Sequence, residues 1–582
     1  MIKSGNNISP AELKHFLHKR APSRNAKLIF AAIVIGGCSA LAAVILNRTL
    51  DYLSTLRMTN SHHWWMFMLP AAGAALAVIL SKNIFKESGG HGVGEVIAKV
   101  GLKQGILRPI SIISSLLTSL LTIASGGSAG PEAPVVVSGS AMGSNLSRLF
   151  KMSGQSRMTL IGCGAAGSIS AIFNAPVTGM IFAVEIILGE WTPYHLIPIA
   201  ISSVVATQTS RLLEGNVIPF SDQFPPMGVT DLGTSILLAV LAALVSVLFV
   251  RSIRQVGSAC SSLTNKPWIK AACGGLAVGI IGIFFPLALG EGYTSIKMAI
   301  HGTLPDGIAL IAFMGMLRIV TTSLTLGSGG LGGIFAPCLV IGSLFGAFYY
   351  RVISQIIPQH MLTGEGSYAL LGMAGVVSGV MQAPLTSVFL VLEITHGYQA
   401  VMHIMTVTFL SSMLTHAFEP SSFYFRDLVE KGQLLRPKTD EKILADIDTS
   451  QLVHNKLTYA CPQMTVSEFL KVLTNTSQTH IPIINSETQE FMGMVDVVSA
   501  RSSILDPEQQ QSNISEVAID RNAPIIEQDM GAAEILEIMN RSGKRTLPVM
   551  KNGSFNGFIS KEDILSAYRG EMKSYGKSDN LF

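Results

Sequence analysis

Ser125-Gly126-Gly127-Ser128-Ala129-Gly130-Pro131-Glu132-Ala133-Pro134 runs into the apolar stretch Val135-Val136-Val137, and a second copy, Ser328-Gly329-Gly330-Leu331-Gly332-Gly333-Ile334-Phe335-Ala336-Pro337, stands 203 residues later (328 − 125). The copies align without a gap and share Ser, Gly, Gly, Gly, Ala and Pro, with Glu132 opposite Phe335. Further on, Asn174-Ala175-Pro176-Val177-Thr178 matches Gln382-Ala383-Pro384-Leu385-Thr386 at an offset of 208 (384 − 176). Each of these is followed by an apolar run ending on a carboxylate nine residues after its proline, Glu185 and Glu393. Coincidence between low-complexity stretches does not hold register over such a span, so the two halves are a duplication.

The composition makes this a membrane problem. Apolar residues are 48% of the chain, charged residues only 13%, and mean hydropathy is +0.45, which excludes an ordinary soluble domain for most of the length. Candidate spans are 28–47, 65–80, 109–124, 158–189, 194–206, 234–250, 271–290, 308–326, 333–357, 367–392 and 399–417. Several are too short or too glycine-rich for a clean crossing of about 20 residues. Broken and tilted helices are expected, tolerated at depth where protein or a cavity covers them.

Two hydrophobic halves with Gly/Pro interruptions at matching positions point to half-helices whose N-termini meet near the midplane. Such termini carry unpaired N–H groups and the positive end of the helix dipole. Glycine lets that backbone approach an ion, and proline suits the first helical turn. The expected substrate is a small anion, and an enzymatic role is not expected.

Lys3, Lys14, Lys19, Arg20, Arg24 and Lys27 precede the first span and place the N-terminus in the cytoplasm. The first apolar run is too long for a cleavable signal. A net charge of +4 points to no nucleic-acid partner, and six scattered cysteines show no metal spacing, so no metal site is expected.

The expected organisation is a cytoplasmic segment 1–27, a first membrane repeat 28–212, a connection 213–233, a second repeat 234–430, a linker 431–444, two small soluble modules 445–506 and 512–570, and a tail 571–582. The modules repeat as well: Met464 through Ile483 matches Met530 through Val549 at an offset of 66 (530 − 464), and each continues through Gly493 or Gly557 into a further strand and helix.

These motifs together resemble the CLC family of chloride channels and chloride/proton exchangers, followed by a pair of CBS domains. Gly90-His91-Gly92-Val93-Gly94 sits where the family has its first signature, Gly130-Pro131-Glu132-Ala133-Pro134 looks like the second, and Gly333-Ile334-Phe335-Ala336-Pro337 like the third. Tyr424, 31 residues after Glu393, falls at the family's pore tyrosine. The resemblance implies an all-α polytopic membrane fold of CLC inverted-repeat type with broken helices, and a C-terminal cytoplasmic α/β CBS pair. It also implies a homodimer with one pore per subunit, multi-pass in the cell (inner) membrane, with both termini cytoplasmic.

By the same resemblance, Glu132 is the gating glutamate, occupying an anion site when ionised and leaving when protonated. The anion-binding residues are His91, Gly92, Gly130, Ile334, Phe335 and Tyr424. Ser560 and Asp563 fit a ribose-binding element, so an adenine nucleotide is a candidate ligand of the CBS pair, the membrane half needing no cofactor. The first copy offers Asp496-Val497-Val498-Ser499 instead, which breaks that pattern.

Three departures bear on function. His91 replaces a serine of the first signature, and Gly94 replaces its proline. Exchangers of the family carry two consecutive glutamates after the Asn-Ala-Pro span, and here Glu185 is followed by Ile186, which cannot relay a proton. On the residues alone this favours a glutamate-gated passive chloride pathway over a chloride/proton antiporter, with a fluoride or other anion exporter a distant third. Glu185 and Glu393 read best as structural helix-end carboxylates.

Overall fold

The computed structural model describes residues 24–577 apart from 60–63, 87–91, 103–104, 217–219, 221–226, 396–397, 427, 429–443, 445–446, 456, 486–489, 529 and 552. His91, the lead-in through residue 23 and nearly all of the expected linker lie outside the described residues. The chain divides into two compact units, 1–434 and 435–582.

In the first unit the duplication is visible helix by helix. The first half contains α1 (Arg24–Thr59), α2 (Leu69–Ile79), α3 (Val93–Leu102), α4 (Ser111–Ala124), α5 (Glu132–Leu149), α6 (Gly154–Phe173), α7 (Pro176–Phe182) and α8 (Pro193–Glu214). The second follows in the same order with α9 (Val229–Leu263), α10 (Pro267–Phe284), α11 (Tyr293–Ile300), α12 (Ile308–Gly327), α13 (Phe335–Ile353), α14 (Glu365–Met381), α15 (Pro384–Thr395) and α16 (Val401–Phe418). Among the described residues, eight helices are long and apolar enough to cross a membrane, whereas α4, α7 and α15 fall short. The short ones are the broken helices that the Gly/Pro interruptions predict.

The span 158–189 is one such case. It divides at Asn174, whose left-handed backbone (φ 55°) ends α6, and α7 then starts on Pro176. Gln382 (φ 51°) divides α14 from α15 in the same way. A left-handed non-glycine residue is costly for an L-amino acid, so its recurrence at the same place marks a reversal that both halves require. α7 runs on into a π-helical turn, Ala183–Leu188.

Close helix crossings rest on glycine pairs. A Cβ on Gly139 or Gly164 would overlap the other's carbonyl where α5 crosses α6, and Gly342 and Gly372 repeat the arrangement between α13 and α14. Small residues of this kind let helices pack without a hydrophobic driving force in lipid.

The halves meet at an antiparallel bridge between Gly130 and Gly333, each N–H donating to the other's carbonyl at 2.8 and 2.7 Å. Around it, Ser128 N donates to Thr325 Oγ1 (3.0 Å) and Leu331 N to Thr122 Oγ1 (3.3 Å). Both pairs keep the 203-residue offset, so a two-fold axis exchanges them. Antiparallel motifs at the seam are what an inverted repeat demands.

A third repeated element escaped the sequence reading. Gly90-His91-Gly92-Val93 and Gly290-Glu291-Gly292-Tyr293 are 200 residues apart (290 − 90). Gly92 and Gly292 share a left-handed backbone (φ 87° and 85°), each immediately before a short helix, α3 or α11.

The second unit holds the smaller repeat. α17 (Val466–Thr474) opens on a capping box between Thr465 and Glu468, and leads to β1 (His480–Ile484), which pairs antiparallel with β2 (Phe491–Asp496). In the second copy β3 (Ile526–Glu527) runs parallel to β4 (Thr546–Lys551), with α18 (Ala532–Ser542) between them. β4 pairs antiparallel with β5 (Ser554–Ser560), which runs into α19 (Lys561–Lys577). The register shifts after Ile483 in one copy and after Val549 in the other, opposite Gly493 (φ 149°) and Gly557 (φ 154°). Glycine at a bulge is the backbone reason those two residues stand out.

Candidate functional site

Four stretches distant in sequence converge at the heads of α5 and α13. Glu132 is the first residue of α5 and is fully buried. Its Oε2 lies over Gly130, where any side chain would collide with it and would come within 3.0 Å of the Ala336 methyl. The Ala336 amide, in the first turn of α13, acts on the same carboxylate. The Glu132 carboxylate is thus seated at the head of the opposite half's helix.

Ile334 and Phe335 begin α13, are buried, and their amides engage no backbone carbonyl among the described residues. Orphan amides at a helix start are ready anion donors. The Phe335 ring is wedged between Phe173 and Phe182, both centroids 5.9 Å away, which fixes the backbone that carries those amides.

Tyr424 is buried, and its hydroxyl has no hydrogen-bond partner among the described residues. A buried polar atom left unpaired is costly, and an anion beside it would remove the cost. The tyrosine is electrostatically coupled to Glu132 and to Cys338 of α13. Its segment is anchored by Phe423 N donating to Val380 O (3.3 Å) and by Glu419, which pairs with Arg251 (2.7 Å) and Arg426. Gln382, the residue that ends α14, adds a bond from Nε2 to the Glu419 carbonyl (2.6 Å).

The first signature joins from α3. A Cβ on Gly92 would be 3.7 Å from the Ala133 methyl, and one on Gly94 would be 3.1 Å from the Tyr424 carbonyl. His91 lies outside the described residues. For Gly130 the expectation needs correcting: its amide is bonded to Gly333, so it contributes the bridge and room for Glu132 rather than a free donor.

Sequence reasoning missed a direct partner of Glu132. Tyr293 donates its hydroxyl to Glu132 Oε1 at 2.9 Å. Behind it, the buried Arg318 donates from Nη1 to Ala288 O (3.0 Å) and from Nη2 to Gly290 O (2.6 Å) and Glu291 O. The signals were available: an arginine inside the apolar span 308–326, and a Gly-Glu-Gly-Tyr loop matching the first signature.

Glu185 and Glu393 occupy helix ends as expected, in a way that no single half discloses. Glu393 accepts from Val177 N (3.0 Å), Thr178 N (2.7 Å) and Thr178 Oγ1 (2.7 Å) at the head of α7. Glu185 accepts from Leu385 N (3.2 Å), Thr386 N (2.7 Å) and Thr386 Oγ1 (2.6 Å) at the head of α15. Each half caps the other. Ile186, beside Glu185, is buried.

In the second unit, Ser560 Oγ donates to Asp563 Oδ2 (2.5 Å) and accepts from Asp563 N (3.1 Å), and His454 Nε2 lies 3.0 Å from the same oxygen. In the first copy Asp496 Oδ2 accepts from Ser499 Oγ (2.6 Å) and Oδ1 from Val498 N (3.0 Å). Burial would raise the Asp496 carboxyl, but the Ser499 hydroxyl and amide outweigh it and leave it below the usual range. The reversed order therefore keeps an Asp–Ser hydrogen bond in the turn after β2, although the short helix that follows, Arg501–Ile504, has no side-chain cap. Among the described residues no group of three or more His, Cys, Asp or Glu side chains could hold a metal ion.

Comparison with known proteins gives consistent matches. The family described as voltage gated chloride channel matches residues 73–416, and the CBS domain matches 514–570. An H(+)/Cl(-) exchange transporter ClcA of Salmonella typhi is 29% identical over 419 residues, covering 67% of this chain and 85% of the relative. A slow cyanobacterial Cl-/H+ antiporter superposes with a TM-score of 0.63 at 23% identity, over 70% of this chain and 98% of that one. A eukaryotic CLC transporter spans 92% of this chain and 97% of its own at a TM-score of 0.61 and 16% identity. At these identities the two structures speak for the fold.

Proposed function

Because the chain belongs to the voltage gated chloride channel family, and is thus a multi-pass membrane protein with a CBS region, we propose that it carries chloride across the membrane in exchange for protons. The observation that carries this reading is the fully buried Glu132 carboxylate at the head of α13, beside orphan amides and the unpartnered Tyr424 hydroxyl. Amide dipoles that attract chloride attract a carboxylate equally well, so the two compete for one place. Protonation removes the charge that lets Glu132 compete, and chloride then enters. One carboxylate thereby links proton binding to anion movement.

Ile186 argues for passive conduction, since it removes the usual inner proton acceptor and Glu185 is committed to the cap of α15. The Salmonella relative, named as an exchange transporter, supports exchange instead. Exchange then requires an inner proton route that does not use residue 186, through water or another titratable group. Phe335 and Tyr424 favour chloride over fluoride as the transported ion. A homodimer in the inner membrane with both termini cytoplasmic, and one adenine nucleotide at Ser560 and Asp563, complete the proposal.

The deciding experiment uses proteoliposomes holding the full chain. With a chloride gradient and a potassium ionophore setting the voltage, chloride efflux that drives protons uphill establishes exchange. Chloride flux without proton movement overturns it in favour of passive conduction.

A further inference from the structure

We infer that Tyr293 is a positioning residue for the gate, holding the ionised Glu132 carboxylate in its seated place. The inference rests on Glu132 being the gate, as proposed above. Tyr293 donates its hydroxyl to Oε1 at 2.9 Å, while Oε2 has no hydrogen-bond partner among the described residues. A bond to a carboxylate is roughly twice as strong as one to a neutral acid. Tyr293 therefore stabilises the ionised, seated gate more than the protonated gate that has left.

Several independent contacts fix the tyrosine. It opens α11 directly after Gly292, whose left-handed backbone no side chain tolerates easily and where a Cβ would lie 2.9 Å from the Arg318 guanidinium carbon. Arg318 ties down the Ala288, Gly290 and Glu291 carbonyls of the same loop. Phe220, held by its amide to the Ile394 carbonyl (3.1 Å), stacks edge-on against the ring at 5.7 Å. By the two-fold axis this loop is the counterpart of the first anion signature, Gly90-His91-Gly92-Val93. The duplicated loop that approaches Ala133 and Tyr424 in one half supplies a donor to the gate in the other.

The other titratable and charged groups coupled to this pair are Glu291 on the loop, Arg318 on α12, Cys338 on α13, and Tyr424. Among the described residues the Tyr293 hydroxyl is the side chain that hydrogen-bonds the Glu132 carboxylate.

The test is the pH profile of chloride flux in proteoliposomes, with pH varied on the side from which Glu132 protonates. Tyr293→Phe keeps the ring and its Phe220 contact and deletes the hydroxyl. The midpoint of activation should move up by about one to two pH units, because a hydrogen bond to a charged group is worth about that much. In a Glu132→Gln background the same change should leave the profile untouched. 3-Fluorotyrosine at position 293, a stronger donor of nearly the same shape, should move the midpoint down, and it serves where the phenylalanine variant fails to reconstitute. If Glu132→Gln abolishes the pH response while Tyr293→Phe or the fluorinated residue leaves the midpoint in place, the latch is wrong and the gate stands. If Glu132→Gln keeps the full pH response, the gate fails and the latch with it.

Discussion

Glu185→Ala should destabilise the membrane unit by about 3 kcal/mol without changing how many protons accompany each chloride. The magnitude comes from the cap it forms. The carboxylate accepts from two amides and one hydroxyl of α15 at 2.6 to 3.2 Å, and removing it strands three donors at the head of a helix. A stranded buried donor costs roughly 1 to 3 kcal/mol. The site is only part-buried, so water replaces some of the loss and about 1 kcal/mol for each donor is the appropriate end of that range. Losing a helix cap alone costs about 0.5 to 2 kcal/mol, which sets the floor. Glu393→Ala should cost a similar amount, because its three bonds to α7 match in kind and length. Glu185→Gln keeps one acceptor oxygen and should recover part of the stability. Thermal unfolding of purified protein in detergent, followed by the loss of monodisperse material, ranks the variants, and reconstituted survivors give the coupling ratio. The reasoning fails if Glu185→Ala is as stable as the parent. It also fails if Glu185→Gln keeps its stability but loses proton movement, since that would make Glu185 a proton carrier.

Glu132→Gln mimics the protonated gate, so chloride flux should lose its pH dependence and its coupling to protons; a parental pH profile would refute the gate. Tyr424→Phe removes one hydroxyl donor to a bound anion, which is worth roughly a tenfold or greater loss of chloride affinity by calorimetry, and unchanged binding would take Tyr424 out of the site. In the second unit, an ATP-induced thermal shift of the full chain should vanish in Asp563→Ala; its survival would sink nucleotide binding there, and the Ser560–Asp563 pair would be a helix cap alone.

What the sequence discloses and what it hides follow one physical rule. Backbone geometry that only glycine or proline allows leaves a mark at fixed positions, and so the seam at Gly130 and Gly333, the breaks before Pro176 and Pro384 and the seat of Glu132 were all legible. The convergence of α3, α5, α13 and Tyr424 could be expected from motifs carrying the same chemistry. Partnerships across the two-fold axis could not. Glu185 and Glu393 were visibly equivalent, but that each meets the other half's helix depends on how the halves dock. Tyr293 lies 161 residues from Glu132 (293 − 132) in an eight-residue helix with too little periodicity to show which way it faces. Gly130 was expected among the anion-binding residues, and that its amide is taken by Gly333 is visible only in the antiparallel bridge.

The duplication also indicates which carboxylates move. A carboxylate retained in both halves, as at Glu185 and Glu393, satisfies a need that the symmetric scaffold has twice, namely three orphan donors at the head of a short helix. Protonating either one would strand its cap, so both are poor candidates for a group that must shed and regain a proton in every cycle. Glu132 has no such twin. Its mate is Phe335, clamped by Phe173 and Phe182, and its latch Tyr293 faces Val93 in the repeat. Either helix head can attract chloride through its amides, but only one has a group that exchanges charge for a proton. As the proposed gate, Glu132 makes chloride and its own ionised carboxylate exclude one another at one place, and that mutual exclusion is what coupled exchange needs.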